Sequence, residues 1–488
     1  MSHLTRLLRK SEKEMLFVKK NAIIYGAPQS PVQEKALSVL SRILMDYADQ
    51  YPVCFPYDEN GGYENFRCFY IGTKKDNPYI AQNSKARLTK PEEYAICVEN
   101  DTVMIEGFDD AGVLYGCVDF YTKYIIPTEY DDPEKNRGAG HYWRNVLEKP
   151  LTDFACTCAP SVKNRGIWTW GHVIYDYRNF IDNMVKLKMN TIIIWNDFVP
   201  FNAKEMIEYA HNSAVKVIWG FAWGWDNGCQ NLSLRTLNDQ TANIFAKFQK
   251  EFAGLAVDGI YFQSITEVDT EEIDGVPVAD AVTDFVNNTA KLFFDYDPKM
   301  ELQFGLHATS VKNRLDMIQK VDPRIRIVWE DCGAFPYNYI PQEIGNFAET
   351  KAFTEKIANL RGKDDRFGVV TKAFTTLDWS CFQHVDGPVY LGVSSEDIQA
   401  NRTQRKAKDW RYFQAYWMRN GAKALEMVKT MADAKEGDLY ITALVEDGMF
   451  EKNLMYPVAL YGEMLWDCDV PFAEILSGVA LRMDITFA

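Results

Sequence analysis

Carboxylate side chains follow two of the apolar runs in this sequence. Glu267 ends the stretch IYFQSITE, and Glu330 and Asp331 follow the run Ile325–Trp329. Hydrolysis of a glycosidic bond requires two carboxyl groups across one cleft, one protonated to release the leaving oxygen and one ionised. We therefore take Glu267 as the candidate general acid and Glu330 as the candidate nucleophile or base.

Each of these carboxylates also has a simpler structural interpretation. Glu267 starts a locally acidic stretch, which is typical of a surface loop, and Glu330 or Asp331 could pair with Arg324 or Arg326. Consecutive residues of a strand point in opposite directions, so at most one of the two neighbouring carboxylates faces a cleft. We favour Glu330 for the chemical step and keep Asp331 as a residue that contacts substrate.

Further polar and aromatic residues end the other apolar runs and are suited to binding a sugar. Carboxylates accept strong hydrogen bonds from hydroxyl groups, an imidazole can donate one, and indole rings pack on apolar faces. The competing interpretations are helix N-caps for the aspartates, a backbone contact for the histidine and core packing for the tryptophans. The candidates are Trp195, Asp197, Trp225, Asp226, His307 and Trp379.

These residues are placed by a repeated pattern of short apolar runs and longer helical stretches from Lys163 onward. That alternation is typical of βα units around a parallel sheet. Eight units predict a (β/α)8 TIM barrel, whose active site lies at the carboxyl ends of the strands. The predicted strands are Gly166–Trp170, Thr191–Trp195, Val215–Phe221, Gly259–Gln263, Glu301–Leu306, Ile325–Trp329, Gly368–Ala373 and, with the least regular pattern, Val389–Val393.

The sequence before the barrel predicts a small α/β domain. Tyr94–Val98 and Thr102–Glu106 alternate like two strands of a hairpin, and apolar residues recur at helical spacing in Asp109–Tyr124. The fold class is therefore α/β, with a barrel between two appendages. The predicted regions are residues 1–150 (N-terminal α/β domain with linker), 151–395 (catalytic barrel) and 396–488 (C-terminal, mostly helical).

Composition and charge exclude several classes of protein. The formal net charge is −15, which repels nucleic acid and anionic lipid rather than attracting them. Ten cysteines in 488 residues are too dilute for a disulfide scaffold, and no secretory leader or membrane-spanning run is evident. We expect a cytoplasmic protein whose partner is a small carbohydrate.

No cofactor is expected from the motifs. Histidines, cysteines and acidic residues do not occur at zinc-ligand spacing, and neither G-x-G-x-x-G nor G-x-x-x-x-G-K-[ST] is present. Lys372 is the one candidate base for a barrel lyase or isomerase, which is the least favoured hypothesis.

Three successive stretches resemble a known family. They are GFDDAGVLYGCVDFYTKYI, NRGIWTW and FIDNMVKLKMNTIIIWND, within residues 90–335. In this order they are similar to the β-hexosaminidase-like glycoside hydrolases of family twenty and the related α-glucuronidases. The resemblance implies a small non-catalytic α/β domain followed by a (β/α)8 barrel.

The resemblance also implies roles for single residues. Arg165 matches an arginine that holds sugar hydroxyls, Asp197 matches the acidic end of the second-strand motif, and Glu267 matches the general acid. Thr266 and Trp170 stand where that family has aspartates. Because the aspartate replaced by Thr266 orients the acetamido group of the substrate, acetamido-assisted chemistry is not expected and a second protein carboxylate must act.

The sequence thus supports two hypotheses. The first is a glycoside hydrolase that cleaves small oligosaccharides with a pair of carboxylates. The second is a catalytically silent carbohydrate-binding protein on the same scaffold, which the replaced aspartates motivate.

Overall fold

The structure, a computed structural model, describes most of the chain and forms two compact units, Met1–Ala159 and Pro160–Ala488. Among the described residues, no helix is long and apolar enough to cross a membrane. The described residues are 19–48, 51–130, 150–224, 232–265, 271–307, 314–331, 346–374, 387–436, 438–445, 449–451 and 454–488.

The first unit contains a six-stranded mixed sheet with the strand order β2-β1-β3-β5-β4-β6. β1 is parallel to β2 and β3, β3 is parallel to β5, and β4 is antiparallel to β5 and β6. The strands are β1 (Lys20–Tyr25), β2 (Val53–Pro56), β3 (Phe66–Gly72), β4 (Tyr94–Glu99), β5 (Thr102–Gly107) and β6 (Phe154–Cys158).

The predicted hairpin and helix of this unit are confirmed. Asn100 and Asp101, between β4 and β5, have φ angles of 51° and 63°, as the two central residues of a type I′ hairpin turn require. The helix begins after Asp109, whose side chain accepts a hydrogen bond of 2.9 Å from the backbone N–H of Gly112.

Four α-helices lie in the described part of the first unit. The third one runs into a π-helical turn, Phe120–Ile125, so the regular α-helix is shorter than the predicted Asp109–Tyr124. The helices are α1 (Pro31–Ala48), α2 (Pro78–Asn83), α3 (Asp110–Asp119) and α4 (Ile126–Tyr130). β6 was not predicted, and it lies in the region 151–395 that we assigned to the barrel, whereas it pairs with β4 of the first unit.

The second unit contains a closed barrel of eight parallel strands, as predicted. Each barrel strand pairs with the next barrel strand along the chain, and the last barrel strand pairs with the first. The strands are β7 (Asn164–Trp170), β8 (Thr191–Trp195), β9 (Lys216–Gly220), β10 (Gly259–Gln263), β13 (Leu302–His307), β14 (Ile325–Glu330), β15 (Phe367–Phe374) and β16 (Leu439–Val445), while β11 (Glu272–Ile273) and β12 (Val276–Pro277) form a separate short hairpin.

The prediction of the eighth strand was wrong. Val389–Val393 contributes no barrel strand, and only Val393 makes an isolated bridge, with Asp176. The eighth strand is β16, in which all seven residues are buried. It was missed because a 39-residue helix, Glu396–Ala434, separates it from β15. The barrel therefore extends beyond residue 395, into the region that we interpreted as an appendage.

Helices cover the outside of the barrel, and the region after residue 395 is helical apart from β16 and short segments. Apolar residues of the helices and of alternate strand positions form one large buried core. The helices are α5 (Tyr177–Lys186), α6 (Ala203–His211), α7 (Leu234–Glu251), α8 (Val278–Tyr296), α9 (Leu315–Ile318), α10 (Phe347–Ala358), α11 (Glu396–Ala434), α12 (Tyr456–Trp466) and α13 (Phe472–Ala480), and β17 (Leu454–Met455) pairs with β18 (Ile485–Thr486).

An ion-pair network closes the amino-terminal end of the barrel. The fully buried Arg326 of β14 donates to Glu301 and to Asp438, at 2.7 Å in each case, and stacks on the Tyr440 ring at 4.1 Å. Burial alone would raise the pKa of Asp438, but the charges of Arg326 and Lys163 lower it to about 2. The charges at this end of the barrel thus stabilise the fold.

We expect the network to make the stability of the protein depend on pH. The pKa of Asp438 is below the ordinary value of about 3.9, so its ionised form stabilises the fold above pH 4 and this contribution is lost as the pH falls towards 2. Asp438→Asn should therefore lower the melting temperature at pH 7, and its difference from the wild type should shrink between pH 4 and pH 2.

Asp469→Asn is the matched control, because Asp469 pairs with Lys429 at a site where its own side chain is 76% exposed. Thermal unfolding followed by circular dichroism measures both variants. A difference between wild type and Asp438→Asn that stays constant down to pH 2 would contradict the assignment.

Candidate active site

A layer of side chains fills the middle of the barrel and forms the floor of the candidate site. The alternate positions of each strand point outward into the helix layer, so these residues point inward. Tyr261 of β10 and Trp168 of β7 are the largest of them. The layer consists of Trp168, Ile193, Ile218, Tyr261, Val328, Val370 and Leu444.

Glu330 lies directly above this floor, at the carboxyl end of β14. Its side chain shares the inward face with Val328 and is only 4% exposed. Its Oε1 accepts hydrogen bonds from the Tyr261 hydroxyl and from Nε2 of Gln263, the last residue of β10. Two donors directed at one oxygen stabilise negative charge on it. The two hydrogen bonds therefore fix the position of the Glu330 carboxyl group.

The proton on Tyr261 is held firmly. Complete burial, together with the neighbouring Glu330 carboxylate, raises the pKa of Tyr261 well above its ordinary value. The phenol thus remains a hydrogen-bond donor over the whole physiological range of pH.

The contact between Tyr261 and Glu330 depends on the absence of a side chain at Gly305 of β13. A Cβ atom at this position would lie 2.1 Å from the Tyr261 hydroxyl oxygen and 3.0 Å from Oε1 of Glu330. Since β13 lies between β10 and β14 in the barrel, any side chain at Gly305 would separate the donor from the acceptor.

Aromatic rings pack together on and above the floor of the barrel. The ring of Trp168 is 4.8 Å from that of Trp170 in an edge-to-face arrangement and 6.3 Å from that of Trp195, and Trp195 lies 6.1 Å from Tyr261. Trp168 is buried, whereas Trp170 and Trp195, at the ends of β7 and β8, are partly exposed. The described part of the site thus presents two indole rings to the solvent side of the floor.

Asp331 lies on the opposite side of the strand from Glu330. It is fully buried, and its charge acts on Tyr461 of α12, in the helix layer. The structure therefore separates the two neighbouring carboxylates, as the strand alternation predicts. The alternative ion pairs are not formed, because Arg324 pairs with Asp322 and Arg326 pairs with Glu301 and Asp438. The prediction that Asp331 contacts substrate does not fit this position.

Two other predicted residues lie at the carboxyl edge. The register of β13 and β14 places the backbone of His307 beside Glu330. Asp197 follows β8, and its Oδ1 accepts a hydrogen bond of 3.0 Å from the backbone N–H of Ala222, so it stabilises the loop after β9.

The structure does not bring Arg165 to this edge. Arg165 is fully buried near the amino-terminal end of β7, on the outward face of the strand, and its guanidinium donates to the carbonyl oxygens of Val162 and Lys163. The guanidinium also stacks on the Trp466 ring of α12, at 4.8 Å. These contacts correct the expectation that Arg165 binds sugar hydroxyls, because the residue fastens a helix to the base of the barrel.

The remaining predicted site residues lie outside the described residues. They are the candidate acid Glu267 with its neighbour Thr266, and Trp225, Asp226 and Trp379. Among the described residues, no group of three or more histidine, cysteine, aspartate or glutamate side chains could hold a metal ion.

Sequence reasoning missed Tyr261, Gln263 and Gly305. Site residues were expected at or after the ends of the apolar runs, whereas Tyr261 and Gly305 lie inside runs, and Gln263, the last residue of its run, was not singled out. A signal was present, since Tyr261 and Gln263 are two residues apart and share a face of a strand, but a tyrosine within an apolar run predicts core packing equally well.

The fold resembles those of solved glycoside hydrolases. The chain superposes on a GH115 4-O-methyl-α-glucuronidase with specificity for decorated arabinogalactans at a TM-score of 0.54 and 15% identity, covering 92% of this chain. It spans only 57% of the length of that enzyme. It also superposes on the protein CpGH84B, at a TM-score of 0.54 and 11% identity, over 94% of this chain and 70% of the other.

A third similar structure is a β-N-acetylhexosaminidase from Bacteroides fragilis NCTC 9343. The TM-score is 0.52 and the identity 14%, over 94% of this chain and 90% of the other. No family model and no curated protein sequence matches the chain. At these identities the comparisons establish the fold, and they confirm the predicted architecture of an α/β unit followed by a barrel, shared with glycoside hydrolases.

Proposed function

We propose that this protein is a glycoside hydrolase that cleaves O-glycosidic bonds of small oligosaccharides. The observation that carries the proposal is the buried Glu330 carboxylate, which two donors hold at the carboxyl end of the barrel, the end at which the partly exposed indole rings of Trp170 and Trp195 also lie. Active sites of (β/α)8 enzymes lie at this end.

Glu330 is suited to the role of nucleophile or base. Tyr261 and Gln263 both donate hydrogen bonds to its Oε1, which fixes the carboxyl group at the end of β14. Glu330 either attacks the anomeric carbon or removes a proton from the water that attacks it.

The proposed partner of Glu330 is Glu267, as general acid. Glu267 follows β10 four residues after Gln263, and Gln263 itself contacts Glu330. In the proposed reaction Glu267 gives its proton to the glycosidic oxygen as the bond to the anomeric carbon breaks. A protein carboxylate supplies the second function, so no acetamido group of the substrate is needed.

The indole rings support a carbohydrate substrate. Trp170 and Trp195 are only partly exposed and pack against the floor of the barrel, so their positions are fixed before a ligand arrives. Flat apolar rings of this kind suit the C–H faces of a pyranose. Solved glycoside hydrolases with the same fold act on different glycosides, so the sugar is best identified with a panel of substrates.

Glu330→Gln tests the central role of this carboxylate. Gln keeps the shape and can still accept a hydrogen bond from Tyr261, but it can neither attack nor take a proton. We expect kcat to fall by about 10² to 10⁴ on the best substrate of a panel of 4-nitrophenyl glycosides, including N-acetylhexosaminides, glucuronides and neutral hexosides.

Glu106→Gln is the matched control for Glu330→Gln. Glu106 is 3% exposed, accepts a hydrogen bond from Ser84, and belongs to the sheet of the first unit. Comparable turnover by wild type and Glu330→Gln on an active substrate would refute the role assigned to Glu330. A wild type that hydrolyses nothing in the panel but binds its sugars would instead identify a carbohydrate-binding protein.

Glu330→Ala with added azide tests the same role by chemical rescue. Azide enters the space left by the carboxylate and attacks the anomeric carbon, the bond to the leaving oxygen breaks, and a glycosyl azide forms. Recovery of part of the lost turnover is expected, and NMR of the first product of the wild type then assigns Glu330 as nucleophile if configuration is retained or as base if it is inverted. No recovery and no glycosyl azide would argue against both roles.

Tyr261→Phe tests how the carboxylate is held. Because the ionised Glu330 loses a donor, we expect kcat/KM to fall about tenfold to a hundredfold and the acid limb of the pH–rate profile to move to higher pH. Tyr461→Phe is the control. Tyr461 lies in the helix layer and is equally buried, but its hydroxyl bonds to Thr371 of β15. A lower rate with an unshifted acid limb would show that Tyr261 acts through packing alone.

A further inference from the structure

An exposed pair of aromatic rings lies on the same edge of the barrel as the candidate site. Phe201 is 68% exposed and Tyr390 is 67% exposed, and their ring centroids are 5.3 Å apart at an angle of 37°. Phe201 belongs to the loop after β8, the strand that ends at Trp195. Tyr390 belongs to residues 387–394, which we call the rim segment. Rings with this exposure do not contribute to the core.

Hydrogen bonds join the two segments of the chain that carry the rings. The side chain of the buried Asn202 donates to the carbonyl oxygen of Leu391 at 2.9 Å and accepts from the Leu391 N–H at 2.8 Å. The N–H of Phe201 also donates to the carbonyl oxygen of Val389, at 3.0 Å. Each ring therefore stands next to a clamped residue, so little conformational entropy is lost when a ligand binds.

The rim segment is also fastened to the loop after β7. The N–H of Tyr177 donates to the carbonyl oxygen of Gly392, and the N–H of Ser394 donates to that of Tyr175. The segment thus lies against the loops that follow β7 and β8, the two strands that end in the exposed indole rings of the candidate site. Phe201 is six residues after Trp195, which limits their separation to roughly 20 Å.

We propose that Phe201 and Tyr390 form a sugar-stacking subsite that binds a saccharide unit beyond the bond that is cleaved. This inference rests on the proposed function and narrows its substrate class to oligosaccharides that reach from the Glu330 site to the rim. Paired, fixed aromatic faces match the apolar C–H faces of pyranose rings, while the hydroxyl edges of the sugar remain in water.

The size of the patch favours a sugar over a protein partner. Two aromatic side chains about two-thirds exposed offer roughly 250 Å² of surface, whereas a stable protein interface buries about 800 Å² on each partner. A single saccharide unit covers an area closer to the roughly 250 Å² of this patch.

Kinetics on two substrates test the subsite. For Phe201→Ala and Tyr390→Ala, we expect the ratio of kcat/KM on an oligosaccharide to kcat/KM on the matching 4-nitrophenyl glycoside to fall at least tenfold, mainly through KM. Phe201→Tyr and Tyr390→Phe keep the rings and should restore the ratio. Tyr412→Ala is the matched control, because Tyr412 is 56% exposed on α11, outside the barrel. Circular dichroism verifies that each variant is folded.

Affinity electrophoresis in gels that contain soluble arabinogalactan or pectin measures binding without turnover. Glu330→Gln carries the aromatic substitutions in this experiment. We expect the protein with intact rings to be retarded in at least one gel. The retardation of the Phe201→Ala/Tyr390→Ala variant in that gel should be at least tenfold smaller. Equal retardation of the two proteins, or no retardation of either, overturns the subsite.

The two proposals fail in different ways. Normal hydrolysis by Glu330→Gln together with ring-dependent retardation would refute the role of Glu330 and leave the subsite, whereas no hydrolysis by the wild type with ring-dependent retardation would refute the glycosidase and leave a binding surface. Loss of hydrolysis in Glu330→Gln with ring-independent retardation would refute the subsite alone. Concentration-dependent dimers that Phe201→Ala disperses, seen by analytical ultracentrifugation, would show that the rings bind a second copy of the chain and would also overturn the subsite.

Discussion

The candidate site depends on the hydrogen bonds by which Tyr261 and Gln263 hold the buried carboxyl group of Glu330 inside the barrel. Removing a carboxylate from water is strongly unfavourable unless hydrogen bonds replace the hydration shell. Glu330 is 4% exposed, and Tyr261 and Gln263 both donate to its Oε1. The donors come from β10, two strands away from β14 in the barrel order, so they reach the carboxylate only across β13. Gly305 makes this possible, because a side chain there would occupy the space of the Tyr261 hydroxyl.

The same strand, β14, carries a buried arginine, Arg326, at its amino-terminal end. The partners of Arg326 differ from those of Glu330. Arg326 is neutralised by Glu301 and Asp438, so the amino-terminal end of β14 contributes to stability and has no charge left for chemistry. Glu330, four residues later on the same face, accepts hydrogen bonds from Tyr261 and Gln263. This contrast follows the division of (β/α)8 barrels into an amino-terminal face that stabilises and a carboxyl-terminal face that reacts.

Sequence reasoning located the barrel and the inward carboxylate, because both follow from local pattern. Seven of the strands are short apolar runs between helical stretches, and strand alternation alone separates Glu330 from Asp331. Sequence reasoning failed where the role of a residue depends on distant parts of the chain. β16 is separated from β15 by a 39-residue helix, and Arg165 contacts Trp466 of α12, 301 positions later in the chain. The roles of Tyr261 and Gly305 likewise exist only once three strands are side by side.

The arrangement around Glu330 also bears on whether such a site catalyses or only binds. A binding site for a neutral sugar needs donors and acceptors, and surface amides or hydroxyls supply these without the desolvation of an ion. A buried carboxylate is justified when the reaction uses its charge, since an ionised group in a low-dielectric pocket interacts more strongly with a developing positive charge than it does in water. An oxocarbenium-like transition state develops such a charge at the anomeric carbon. Under the proposed function, a carboxyl group that Tyr261 and Gln263 hold above the barrel floor meets this requirement, whereas a site that only binds a neutral sugar would not need it.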